Sequence, residues 1–519
     1  MVFSAMTTFT SLLFRSAALM LALLCGSAAN AAQPQTPNLL ILYADDLGYG
    51  DLGCYNPASK IPTPNLDRLA TESIRFTDGH SSSGICTPSR YALLTGRHHW
   101  RKFHGIVGPL GGSVFAPDRL TLPEMLKEHG YHTACIGKWH LGWDWTALRK
   151  PGATPIREGR REIWSYDALN WSKPIPDGPL AHGFDHYFGD TVINFPPYAW
   201  IEDEHLVRAP DTMMDTSQWK PIKEGNWECR PGPMITGWDP YQVLPTLTQR
   251  GVDYLRSRKG QKNPFFLYLP FPGPHAPIIP NDAFDGTSQA GPYGDFVVEI
   301  DDAIGRLLTA LEESGQADNT LVIFTADNGP ERYAYKRDEV YGHWSATPLR
   351  GLKRDIYEGG HRVPFMIKWP GVIEPGQVSN ALVSQIDLMA TTAAILDTPL
   401  PANQAEDSHD LLPLLQGKVE NVRTTHIHNT RENSYAIRHN DWLLVNAPHG
   451  YLSGRDHDWE DRHGYIPDDN QAVELYHVST DPSQRFNVAA HYPDRVEELT
   501  TLLEKIRRQG HSSPRLEKP

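Results

Sequence analysis

Asn38-Leu39-Leu40-Ile41-Leu42-Tyr43, followed at once by Ala44-Asp45-Asp46, is a short apolar run that ends in two carboxylates. Continuous rather than alternating apolarity predicts a strand buried on both faces, as in a parallel sheet. Three more runs share this form. His132-Thr133-Ala134-Cys135-Ile136-Gly137 precedes Lys138-Trp139-His140, and Pro264-Phe265-Phe266-Leu267-Tyr268-Leu269 precedes Pro274-His275-Ala276-Pro277. Thr320-Leu321-Val322-Ile323-Phe324-Thr325 leads into Asp327-Asn328-Gly329. Helix-like segments lie between them: residues 63–70 with Pro64 beside a capping position, amphipathic residues 122–128, and residues 296–311 with apolar positions at helical spacing. Strands alternating with helices predict an α/β sheet. Ligands of such sheets gather beyond the carboxyl ends of the strands, where all four polar clusters fall.

Residues 142–234 are rich in Pro, Gly, Trp and Asp without a sustained period, which reads as long insertions around the site. Trp143, Trp145, Trp164, Trp171, Tyr198 and Trp200 lie there, available either to stack on sugar faces or to pack the loops. A last main-domain helix is expected over residues 386–395, then a Pro-containing connection over 398–402. Strands at 434–438, 441–445 and 474–476 and a closing helix at 493–508 suggest a small α+β domain. The expected division is a catalytic domain over 32–400 and a C-terminal subdomain over 401–519.

The first 31 residues carry one charge, Arg15, then an apolar run from Ala17 to Cys25 and small residues up to Ala29-Asn30-Ala31. This pattern predicts a cleavable signal peptide, residues 1–31, and a secreted or periplasmic protein. The run is too short for stable membrane insertion, which takes about 20 apolar residues. Losing Arg15 changes the formal net charge from -14 to -15, which disfavours nucleic acid as a partner. Four cysteines remain, and if Cys86 is consumed chemically, at most one disulfide can form among Cys54, Cys135 and Cys229. Composition, with 40% hydrophobic and 21% charged residues, is that of an ordinary globular protein.

The sharpest motif is Cys86-Thr87-Pro88-Ser89-Arg90-Tyr91-Ala92-Leu93-Leu94-Thr95-Gly96-Arg97. It resembles the signature of the formylglycine-dependent, type I sulfatases, in which Cys-x-Pro-Ser-Arg followed by Leu-Thr-Gly-Arg is read by a formylglycine-generating maturation enzyme. Asp45-Asp46-Leu47-Gly48-Tyr49-Gly50-Asp51, Gly137-Lys138-Trp139-His140-Leu141-Gly142, His182-Gly183-Phe184-Asp185, Pro274-His275-Ala276-Pro277, Asp327-Asn328-Gly329 and Leu349-Arg350-Gly351-Leu352-Lys353 are similar to further blocks of that family, in its order. So are residues 358–364 and 476–482. Leu352 stands where many members have a second glycine. The resemblance implies an alkaline-phosphatase-like α/β fold: a large mixed, mostly parallel sheet sandwiched by helices, with a smaller C-terminal α+β domain containing an antiparallel sheet.

Sulfate ester hydrolysis needs an oxygen nucleophile, neutralisation of the sulfuryl oxygens and a proton for the leaving alcohol. An aldehyde at position 86 hydrates to a geminal diol; one hydroxyl can attack sulfur and the other can later expel sulfate. Asp45, Asp46, Asp327 and Asn328 make an all-oxygen set suited to a hard divalent cation. The resemblance implies one calcium ion, bound also by residue 86, with magnesium compatible with the same chemistry. It further implies that Lys138 and Lys353 hold sulfate, Arg90 orients the formylglycine, His140 is the base and His275 the leaving-group acid. His343, Trp344, Arg350 and residues 331–338 are candidates for substrate recognition by proximity in sequence alone. The expected substrate is a sulfated carbohydrate. A phosphomonoesterase or phosphotransferase of the same architecture is the alternative enzyme, which generally uses Ser or Thr with two zinc ions. A catalytically inactive carbohydrate-binding relative should have lost a functional group, and no such loss is seen.

Overall fold

The computed structural model describes residues 36–465 and 471–516, so the expected signal peptide lies outside the described residues. The run at Asn38 forms strand β1 (Asn38–Asp45), buried at every position. Its side chains feed two separate cores: Leu40, Leu42 and Ala44 join one apolar cluster, whereas Leu39, Ile41 and Tyr43 join another. This is what the period of two requires of a strand covered on both faces.

Nine more strands complete the sheet: β2 (Ile74–His80), β3 (His132–Ile136), β4 (His186–Gly189), β5 (Ile201–Glu202), β6 (His205–Leu206), β7 (Phe265–Pro274), β8 (Thr320–Ala326), β9 (Phe365–Lys368) and β10 (Gln377–Ser384). Their spatial order is β10-β2-β9-β8-β1-β7-β3-β4-β5-β6. β1 is central and parallel to both β7 and β8, and β3 continues the parallel run on the far side of β7. Antiparallel β9 enters between β8 and β2 and makes the sheet mixed.

Helices α1 (Pro64–Thr71), α2 (Cys86–Thr95), α3 (Leu122–Glu128), α4 (Val243–Ser257), α5 (Gly291–Glu313) and α6 (Leu388–Ile395) cover the sheet. Leu66 of α1, Leu247 of α4 and Ile304 of α5 pack with Leu40 and Leu42; Leu94 of α2, Leu126 of α3 and Leu388 of α6 pack with Leu39 and Ile41. α3 starts where its sequence says it should, because Thr121 and Glu124 form a reciprocal capping box and Pro123 stands in the first turn.

The segment 142–234 is not all loop, since β4, β5 and β6 extend the sheet edge from within it. Trp143, Trp145, Trp164 and Tyr198 are buried in the two clusters and Trp171 and Trp200 pack against them, so these aromatics serve packing rather than a sugar-stacking surface. Leu411, Leu414 and Leu415 also belong to the large core, which therefore runs past residue 400. Beyond it, β11 (Thr425–Arg431), β12 (Ser434–His439), β13 (Trp442–Val445) and β14 (Glu474–His477) form an antiparallel sheet in sequence order. Helix α7 (Pro493–Gln509) covers it through Leu499, Leu503 and Ile506. Cys54, Cys86, Cys135 and Cys229 are all free thiols. Among the described residues no helix is long and apolar enough to cross a membrane.

Gly137, between β3 and Lys138, has φ +135°, and a Cβ there would lie 2.0 Å from the Pro270 carbonyl oxygen on β7. Only glycine passes without moving backbone. Gly137→Ala is expected to destabilise the fold by about 1–3 kcal/mol, read as a lower midpoint in denaturant; an unchanged midpoint would contradict this close approach.

Candidate active site

The four polar clusters meet at the carboxyl edge of the central strands. β1 delivers Asp45 and Asp46, β3 is followed by Lys138 and His140, β7 by His275, and β8 by Asp327 and Asn328. Cys86 opens α2, all ten residues of which are buried. Lys353 comes from a loop whose backbone nitrogen donates to Pro330 O. Asp46 and His140 have φ +63° and +55°, a left-handed conformation rare for residues with a Cβ and concentrated at functional sites.

Asp45, Asp46 and Asp327, all within 1% of complete burial, face Arg90, Lys138 and Lys353. Lys138 Nζ donates to Asp45 Oδ2 at 2.5 Å and Lys353 Nζ to Asp46 at 2.7 Å. Arg90 donates to Asp327 Oδ2 from Nε at 3.0 Å and Nη2 at 2.8 Å, and to the Lys138 carbonyl from Nη1. Burial works against the charge of Asp45, but Lys138, His275 and Arg90 hold its carboxyl well below the usual range. Asp327 goes the other way: burial and the Asp45 charge push it up, with Arg90 opposing. Three buried, crowded carboxyl groups, one of them pushed toward neutrality, form a set that a dication would relieve.

One ligand atom each from Asp45, Asp46, Cys86 and His275 lies within 4.8 Å of the others. Asn328 donates from Nδ2 to Asp46 Oδ1 at 2.7 Å, while its own Oδ1 is buried without a partner. An orphaned carbonyl oxygen beside three carboxyl groups fits an oxygen-ligated cation.

The histidines differ in what they present. His140 Nε2 lies 3.0 Å from Val107 O, so it carries the proton; Nδ1 then bears a lone pair, buried and unpartnered. Burial and Lys138 hold this ring well below its ordinary pKa, as required of a base kept neutral. His275 Nδ1 donates to Ala276 O and Nε2 stands 3.8 Å from Asp46 Oδ2. Cys86 Sγ is 3.6 Å from Asp45 Oδ1, and burial and the Asp327 charge push its thiol up, away from thiolate.

His343, Trp344 and Arg350 are engaged elsewhere. His343 is buried against Asp51 at 2.9 Å, and Trp344 packs against Trp459 at 4.1 Å between ring centroids, the rings tilted by 32°. Arg350 is buried among Tyr357, Tyr451 and Tyr465, with donors on Tyr451, Tyr476, Gln484 O and Glu460. It fastens the main domain to the C-terminal sheet, with four of its five N–H groups engaged there. In residues 331–338, Glu331 takes a two-pronged contact from Arg354 at 2.7 Å. Sequence reading missed Asp190, one residue past β4 at the same sheet edge. Both its carboxyl oxygens are buried and unpartnered, and burial pushes it up to about 7. The unread strand β4 was the signal that would have found it.

A buried acidic and basic cluster of this kind at the edge of such a sheet defines a hydrolase of anionic esters, and the comparisons give the class. The sulfatase family model matches residues 37–398, and that of the N-sulphoglucosamine sulphohydrolase C-terminal region matches 352–509. The chain is 32% identical to an N-acetylgalactosamine-6-O-sulfatase of Bacteroides thetaiotaomicron, over 92% of this chain and 94% of that one. It is also 32% identical to human N-acetylgalactosamine-6-sulfatase, over 92% and 87%. A solved Bacteroides thetaiotaomicron chain, described with the metabolism of multiple glycosaminoglycans, superposes with a TM-score of 0.75 at 30% identity, covering 91% of this chain and all of that one. The protein belongs to the sulfatase family. It is a sulfuric ester hydrolase.

Where residue 86 is still cysteine, the folded protein at neutral pH is expected to resist alkylation at that position and to react after unfolding. Peptide mass mapping reads the outcome; rapid labelling of folded Cys86 would contradict its burial and protonated state.

Proposed function

We propose that the chain is a secreted or periplasmic sulfatase that removes the 6-O-sulfate of N-acetylgalactosamine-type units in glycosaminoglycan-derived oligosaccharides, with residue 86 working as formylglycine. The reading is carried by the grouping of Asp45, Asp46, Asp327, Lys138, Lys353, Arg90, His140 and His275 around Cys86, in a chain about a third identical to two N-acetylgalactosamine-6-sulfatases along most of their length. Conversion also supplies what the thiol lacks, since a buried, protonated Cys86 is a poor nucleophile.

Asp45, Asp46, Asp327 and Asn328 would hold a calcium ion together with residue 86. When bound, the ion supplies positive charge for the sulfuryl oxygens and acidifies the attacking hydroxyl. Lys138 and Lys353, fixed by carboxylates on one side, present their remaining donors to the same oxygens. Arg90 locks Asp327 and the Lys138 backbone, so it positions the ligands. His275 would give the departing sugar oxygen a proton from Nε2, which burial and Lys353 oppose and Asp46 and Asp45 beside the ring help it to carry. His140 takes a proton at Nδ1 from the second hydroxyl of residue 86, re-forming the aldehyde as the Cβ–O bond to the sulfate group breaks and sulfate leaves.

The expected product of maturation is an aldehyde at position 86, detected as a peptide lighter than its thiol form; a fully active preparation with intact cysteine would overturn the mechanism. A desulfation screen over defined oligosaccharides should show release from terminal N-acetylgalactosamine 6-sulfate in preference to the 4-sulfate isomer. The reverse preference would sink the substrate assignment. In the same screen, His275→Ala should slow sugar sulfates by about 10²–10⁴-fold yet spare an aryl sulfate with a good leaving group. Equal losses on both would remove His275 from the acid role.

A further inference from the structure

A second buried cluster shares no residue with the set around Cys86. His80 ends β2, Glu358 and His361 lie in the short helix Glu358–His361, and His428 sits on β11. All four are 0% exposed, and one ligand atom from each lies within 4.8 Å of the others.

The hydrogen bonds fix where the ring protons are. His80 Nε2 is 2.8 Å from Asp78 Oδ1, and Asp78 is itself paired with Arg438 at 3.1 Å and Arg362 at 3.5 Å, so it is a charged acceptor. His361 Nε2 is 3.3 Å from the Ile356 carbonyl oxygen, which can only accept. Both Nε2 atoms therefore carry protons, and in neutral rings both Nδ1 atoms carry lone pairs. Those two Nδ1 atoms face each other at 3.2 Å. Two lone pairs at that distance repel. A proton between them would make one ring a cation in a fully buried site where Arg362 and Arg438 already balance Asp78 and Glu358, a costly arrangement.

A metal ion between them resolves the contact. Two nitrogens each about 2.0–2.1 Å from a tetrahedral ion stand about 3.3–3.4 Å apart. The remaining ligands are at hand, since Glu358 Oε1 and both ring nitrogens of His428 are buried without partners. Glu358 Oε2 is held by Arg362 at 3.1 Å, which leaves Oε1 to the site. His428 lies flat on His361 with centroids 3.3 Å apart, so its ligation turns the ring about its Cβ–Cγ bond. The second nitrogens of His80 and His361, on a carboxylate and a backbone carbonyl, have the outer partners that orient metal-bound imidazoles.

We propose that His80, His361, His428 and Glu358 form a structural site for a divalent transition cation of the zinc class. Three imidazoles and one carboxylate suit zinc rather than calcium. Asp78 and Glu358 are already balanced by Arg362 and Arg438, so affinity comes from nitrogen ligation, not from net negative charge. The ion would join β2 and the 358–361 turn of the main domain to β11 of the C-terminal sheet.

The test uses the full chain without a polyhistidine tag, stripped by chelator and reloaded with zinc or with cobalt. Wild type should retain about one transition ion per chain after gel filtration, with the visible absorption of tetrahedral cobalt. X-ray absorption at the zinc edge should show imidazole scattering in a four-ligand shell. His428→Gln and Glu358→Gln should lower retention at least tenfold, whereas Asp45→Asn, in the other cluster, should keep the ion. Should these variants fail to fold, the wild-type cobalt and zinc-edge spectra still decide. No retained ion in wild type, an octahedral oxygen-only shell, or loss of the ion in Asp45→Asn alone would each overturn the proposal; the last would place the ion among the carboxylates, leaving the sulfatase reading untouched.

Discussion

The mutual repulsion of Asp45, Asp46 and Asp327, carried by adjacent parallel strands into a fully buried place, is the constraint that the rest of the structure is arranged around. At low effective dielectric, like charges at ligand spacing are costly unless opposite charges stand in contact. Lys138, Lys353 and Arg90 come from three other segments of the chain to provide those charges. Each cation is itself stranded in the interior without its carboxylate. The site is therefore held by reciprocal need, and removing one member leaves a buried, uncompensated charge.

The same logic organises the seam between the two sheets. Arg350 is wrapped by aromatic rings and joined to Glu460, and Arg438 of the small sheet reaches Asp78 beside β2. Arg423 forms a fully buried pair with Asp387 just before α6. Such pairs contribute modestly to stability against an apolar alternative, but each fixes a unique register, because any slip would orphan a charge. A hydrophobic seam alone would tolerate sliding; this one does not.

Much of the site was legible because short, fully apolar runs ending in polar clusters admit few placements. β1, β3, β7 and β8 were read nearly to their ends, and the residues following them converge as a parallel sheet dictates. What escaped had no such signature. β2 is Ile-Arg-Phe-Thr-Asp-Gly-His and β11 is Thr-His-Ile-His-Asn-Thr-Arg, strands in which Asp78, His80, His426, His428 and Asn429 are buried among other polar groups. β4 to β6 are too short to show a period. Nearness in sequence to Lys353 likewise says nothing about direction: the Arg350 guanidinium points into the seam.

The complete burial of α2 carries a consequence about timing. Cys86 to Arg90, the residues resembling a maturation signal, stand in a helix between the large sheet and α3 and α6, with Arg90 pinned to Asp327. An enzyme that oxidises Cys86 has to bind these residues in an open form and bring its own oxidant to the sulfur, neither of which the folded chain permits. On the proposed reading, conversion would have to precede closure of the core, so modification and folding would compete on the unfolded chain. On that reading a molecule that folded first would be locked as an inert thiol, well packed and beyond repair short of unfolding.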